Sequence, residues 1–211
     1  MTFFRMAMPL AVVLLAACSG PTTRYYSLAE TAPPATATAS TAKPGAAPLF
    51  IELAPLSVPE RLARPQMVVR QKDGADAAQV AVLEQHRWAS SFDSELRDAL
   101  GSAIAGRLGA VDGTKTNRPR GQPAVRIAVQ VNRFDAVVDS RIDAAFSWTL
   151  RRTEDGPSAG CQLGLAQPIG TGMEAVAQGA RAVASQLADA IAASVKAQQA
   201  GQTPPCAAPA A

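Results

Sequence analysis

Apolar and polar residues alternate along the second half of the chain. Val125, Ile127, Val129 and Val131 share one side, with Arg126, Ala128 and Gln130 on the other. A period of two is that of a half-buried strand and predicts one from Ala124 to Val138. Beyond a turn at Asp139-Ser140, Arg141 to Arg152 repeats the pattern with Ile142, Ala144, Phe146, Trp148 and Leu150. Glu154-Asp155-Gly156-Pro157 turns the chain again, and Ala159 to Gln167 completes a three-stranded meander. Two segments instead follow helical spacing. In the first, Phe92, Leu96, Leu100, Ile104 and Leu108 recur behind Ser90 or Ser91 as cap, with Asp93 in the first turn and Gly109 as the stop. Gly101 and Gly106 weaken this helix, which predicts close approach by another element. In the second, Met173, Val176, Ala180, Val183, Leu187, Ile191 and Val195 form one stripe behind a capping-box pair, Thr171 and Glu174.

The first half is less regular. Leu49 to Val58, carrying Phe50, Ile51, Leu53 and Leu56, reads as a strand that ends at Pro59. Pro59-Glu60-Arg61-Leu62-Ala63-Arg64-Pro65 is a connection stiffened at both ends. Gln66 to Lys72 and Ala78 to Glu84 predict a hairpin across Asp73-Gly74. Gln85 to Ala89 leads into the first helix, and Val111 to Pro123 is a turn-rich loop. Earlier still, Arg24-Tyr25-Tyr26-Ser27-Leu28 precedes Ala, Thr and Pro from Ala29 to Pro48. Either that whole region is a tether, or the tyrosines form a first strand and the Ala/Pro stretch is a long surface loop. Paired tyrosines favour the strand. The expected fold class is α+β, a mainly antiparallel sheet with both helices packed on one face.

The amino terminus has the anatomy of a secretory signal: Arg5, then an apolar run from Met6 to Leu15 too short to span a bilayer. Leu15-Ala16-Ala17-Cys18 at its end resembles the lipobox of bacterial lipoproteins, in which the cysteine is acylated and becomes the first mature residue. Ser19, rather than aspartate, follows the cysteine, as in the outer-membrane sorting pattern. The expected organisation is a signal peptide over 1–17, a lipidated amino terminus over 18–28 and a flexible Ala/Thr/Pro segment over 29–48. A domain over 49–199 and a disordered tail over 200–211 complete it.

Chemistry narrows the function by exclusion. The 211 residues carry a net charge of +3 from scattered residues, and no basic run is interleaved with aromatics, so no nucleic-acid partner is expected. His86 is the one histidine, and no cysteine pair has zinc spacing. No metal, cofactor or catalytic residue is expected. Gly170-Thr171-Gly172-Met173-Glu174-Ala175 has dinucleotide-motif spacing but no following parallel strand, so it reads as a helix-entrance turn. Gly113-Thr114-Lys115-Thr116 lacks the adjacent glycine and lysine of a phosphate loop. Cys161 and Cys206 are expected to form a disulfide. The strand from Cys161 to the second helix covers about 30 Å at roughly 3.3 Å per residue. That helix returns about 40 Å at about 1.5 Å per residue, leaving an overshoot that a few tail residues can span.

Several pieces, in order, resemble one family. They are the lipobox, Tyr25-Tyr26-Ser27-Leu28, Val58-Pro59-Glu60-Arg61-Leu62-Ala63-Arg64-Pro65-Gln66, Arg87-Trp88-Ala89, Val131-Asn132-Arg133-Phe134-Asp135 and a closing alanine-rich helix. Together they resemble the PqiC-like auxiliary lipoproteins of ABC-type, Mce-associated transport systems. The resemblance implies a non-enzymatic lipoprotein in the outer membrane, anchored by acyl chains and facing the periplasm. It further implies an inner-membrane-anchored Mce-domain partner, a homo-oligomeric ring, and a role in lipid transport and envelope integrity. A structural envelope lipoprotein without a transport role is the alternative. Arg87, Trp88, Pro59, Arg61, Arg64 and Pro65 are the candidate partner interface. Trp88 can equally be a lid on the core, and the proline-bounded loop simply a stiff crossover.

Overall fold

A computed structural model describes residues 22–29, 48–71, 79–116, 118–119, 121–152, 158–203 and 206. Cys18 with the signal segment, the stretch from 30 to 47, and the turns expected at Asp73-Gly74 and Glu154 to Pro157 lie outside those residues. The strands are β1 (Arg24–Tyr26), β2 (Phe50–Leu53), β3 (Gln66–Arg70), β4 (Ala81–Trp88), β5 (Val111–Asp112), β6 (Ala124–Val137), β7 (Arg141–Arg152) and β8 (Ser158–Pro168). The helices are α1 (Phe92–Leu108) and α2 (Gly172–Gln199), and a short 3-10 turn covers Glu60–Leu62.

The alternation read from 124 onward becomes the frame of the sheet: β6 pairs antiparallel with β7 and β7 with β8, Ile127 opposite Leu150 and Trp148 opposite Cys161. The α+β class holds, but the eight-stranded sheet is mixed rather than mainly antiparallel. β1 runs parallel to β4, while β2 and β3 both run parallel to β6. For β2 and β3 the cause lies in the Pro59 to Pro65 connection. Phe50 to Leu53 pairs with Ala124 to Ile127, and backbone bonds continue the track from Ala54 and Ser57 to Ile127 and Val129. The chain then leaves the edge in a 3-10 turn, beside a register shift in β6 at Val131/Arg133, and rejoins it with Val69 opposite Ala136. Its direction does not reverse, so one edge of β6 carries two successive parallel partners.

The apolar side of this sheet is covered by both helices. Ile127, Val129, Phe146 and Trp148 are buried with Leu96, Leu100 and Ile104 of α1 and Val183, Leu187 and Ile191 of α2. Full burial of such side chains stabilises by about 1.5–3 kcal/mol each. Arg107 ties the helices together, donating to the Asp189 carboxylate and, at 2.6 Å, to Ser185 Oγ. The opposite side of the sheet exposes Arg126, Ala128, Gln130, Thr149, Gly160 and Gln162. Gly109 ends α1 at φ 59°, a left-handed conformation that glycine adopts without penalty. Gly101 does meet a close neighbour, since a Cβ there would lie 2.9 Å from Asp112 Oδ2; Gly106 has none within 4 Å.

The capping box expected at Thr171 and Glu174 does not form. Thr171 makes no side-chain cap, and the Gly172 N–H donates instead to Asp139 Oδ1 at 2.7 Å. Asp139, at φ 57° in the β6–β7 turn, delivers the capping carboxylate from outside the helix.

Candidate functional site

Consecutive residues on a strand point to opposite sides of the sheet, and this decides the fate of Arg87 and Trp88. The segment expected to lead into α1 is the end of β4. Trp88 is therefore turned inward and 4% exposed, with its ring 5.7 Å from Phe92, which itself lies 4.8 Å from Phe134. As an exposed interface anchor Trp88 is corrected: it is core. Arg87 stays on the outside, donating from Nη2 to Glu84 Oε2 at 2.9 Å and from Nε to Glu84 O at 3.1 Å. Hydrogen bonds from Arg87 and then Gln66 hold the Glu84 carboxyl below the ordinary glutamate range.

The proline-bounded loop meets Arg87 at one corner. Trp88 N donates to Pro65 O at 2.7 Å and Phe92 N to Arg64 O at 3.2 Å, so the loop supplies an acceptor to the first turn of α1. Leu62 is the buried peg of the loop, and the side chain of Arg61 lies outside, 3.4 Å from Asp135 Oδ1. Arg70 Nε lies 3.3 Å from that same oxygen. Arg64 and Arg87 thus lie toward Glu84 at the β4 end of the loop, Arg61 turns to Asp135 on the β6 side, and Trp88 is buried beneath the β4 end.

A second constellation had no signal in local periodicity, because its parts are far apart in sequence. Ser27 Oγ and Leu28 N both donate to Glu95 Oε2 at 2.9 Å, and Ser90 Oγ donates to Glu95 Oε1 at 3.1 Å. From the other side, Arg181 Nε donates to Ser27 O at 2.7 Å. One carboxylate in the first turn of α1 and one guanidinium on α2 therefore clasp the chain immediately after β1. Tyr26 is buried beside His86, its hydroxyl 3.1 Å from Nδ1. Only the Tyr25-Tyr26-Ser27-Leu28 string hinted at this arrangement.

Cys161, on the buried side of β8, and Cys206 in the tail are placed as a bonded pair, with Cα atoms 5.1 Å apart. This lays Cys206 against β8. Among the described residues, no group of three or more His, Cys, Asp or Glu side chains could hold a metal ion. The Gly113 to Thr116 segment is a turn around Asp112, whose Oδ1 accepts from Thr114 N at 2.9 Å, while Lys115 pairs with Asp98 at 3.2 Å. Among the described residues no helix is long and apolar enough to cross a membrane.

Comparison with solved structures supports the fold. The crystal structure of an uncharacterized protein aligns with a TM-score of 0.58 at 20% identity, covering 82% of this chain and 97% of the other. The crystal structure of a DUF330 protein from Xanthomonas campestris aligns with a TM-score of 0.55 at 20% identity, covering 73% and 88%. No curated protein matches this chain in sequence. Residues 26–192 match the family described as ABC-type transport auxiliary lipoprotein component. The match runs from buried Tyr26 in β1 to Ala192 in α2, taking in the clasp and the proline-bounded loop, and the chain belongs to that family.

Proposed function

We propose that the chain is an outer-membrane lipoprotein, acylated at Cys18 and facing the periplasm. There it serves as a non-enzymatic subunit of an ABC-type system whose inner-membrane-anchored Mce-domain protein carries lipids between the membranes. The observation that carries this reading is the family match over 26–192 behind Leu15-Ala16-Ala17-Cys18. Acyl chains hold through about 0.8 kcal/mol per buried methylene, so several on one cysteine anchor a domain firmly. Arg61, Arg64 and Arg87, with Pro59 and Pro65, are the proposed partner surface. The subunit assembles as a homo-oligomeric ring, takes no cofactor and supports envelope integrity through lipid traffic. Purification of the full chain from native envelopes in mild detergent tests the reading. Co-purification of an ATPase, a permease and an Mce-domain protein is expected. Recovery of other envelope components in place of those three would favour a structural lipoprotein without a transport role.

A further inference from the structure

We propose that the edge of the sheet formed by β1 and β4 rests on the lipid surface, with Tyr25, Val80 and Val82 entering the headgroup region. This rests on acylation of Cys18. Among the described residues, Tyr25, Val80 and Val82 are the exposed large hydrophobic side chains, at 65%, 37% and 41%. All three lie on or next to this one pair of strands. They also share a side: Tyr26 turns into the core, so Tyr25 turns out, and Leu83 packs on the core, so Val82 and Val80 turn out.

The length of the tether selects the occupant. Six peptide units separate Cys18 from Arg24, a reach of at most about 20 Å. The Ala/Thr/Pro stretch adds nothing to that length, because it follows in sequence β1, which is paired with β4, and Ser27, which is clasped by Glu95 and Arg181. An acylated Cys18 therefore holds this edge, and not the far end of the sheet, against the bilayer. The chemistry suits that position. A tyrosine has an apolar ring and a polar tip for the interface, and the open cleft that Tyr25 borders around the edge carries charges of both signs, Arg24 and Arg181 with Glu174.

The test uses the full mature lipoprotein in vesicles of phosphatidylethanolamine and phosphatidylglycerol with brominated acyl chains. Native Trp88 and Trp148 are buried and give the baseline. A new tryptophan is introduced by Tyr25→Trp, by Val82→Trp or, at the opposite end of the sheet, by Ser158→Trp. Loss of the added emission at 25 and 82, with none at 158, is the expected result. Flotation with the vesicles but no loss at 25 or 82 overturns the proposal and leaves the lipoprotein reading standing. Shielding of both positions from an aqueous quencher without bromolipid quenching, together with self-association, assigns the patch to a second copy and also overturns it. Failure to float with the vesicles removes the acyl anchor and the proposal with it.

Discussion

Truncating Trp88 to alanine distinguishes a core residue from a surface anchor. A tryptophan removes about 150–250 Å² from water, which at about 25 cal/mol per Å² corresponds to about 4–6 kcal/mol. Phe92 and Phe134, in line behind the indole, can collapse partway into the space, so the expected loss is about 3–5 kcal/mol. For a domain of this size that lowers Tm by about 10 °C. The assay is urea and thermal unfolding of the mature domain carrying Cys18→Ala, with Arg87→Ala alongside. Arg87 bonds to an exposed glutamate, so its removal should leave the unfolding midpoint close to the parent value while perturbing partner capture. A Trp88→Ala domain as stable as the parent, but unable to self-associate, would refute the burial argument.

Three further outcomes follow from named contacts. Cys206→Ser should destabilise by about 4 kcal/mol in the chain-entropy model for a separation of 45 residues, and the parent domain should show no titratable thiol without reductant. Two thiols, or a reducible dimer, would move or remove the bridge. Glu95→Ala should cost about 1–3 kcal/mol, because Leu28 N and Ser27 Oγ lose a charged acceptor. Hydrogen exchange should then accelerate at β1 before any other strand, and uniform acceleration would deny the clasp a local role. Gly179→Ala should cost about 1–3 kcal/mol by overpacking, since a Cβ there would lie 2.3 Å from Ile169 Cγ2 and 3.1 Å from Ile142 Cδ1; unchanged unfolding would show that Ile169 moves aside.

What could be read from the chain divides along local and non-local lines. The period-two pattern from Ala124 to Arg152 and the stripes of both helices are local, and they reappear almost residue for residue. Parallel pairing is not written in any single segment. Nothing between Leu49 and Arg70 says that both sides of the proline loop share one edge of β6, and nothing in Arg24 to Tyr26 says that it runs parallel to β4. Thr171 and Glu174 satisfied a local rule but lost to Asp139, a competitor 32 positions upstream of Thr171 in the numbering. Arg87 and Trp88 looked like one site because they are adjacent, yet adjacency on a strand means opposite sides. The clasp joins residues 27, 95 and 181, a separation that no window of sequence contains.

Both the transport role and the lipid-facing edge require acyl chains on Cys18. Intact-mass and peptide mass spectrometry of the protein isolated from its own membranes reads that chemistry directly. The amino-terminal peptide should begin at Cys18 with a diacylglyceryl group in thioether linkage to its sulfur, and Cys18→Ala should abolish the lipid mass and release the chain from the membrane fraction. A mature amino terminus elsewhere, or an unmodified Cys18 in protein that still sediments with the membrane, would contradict it.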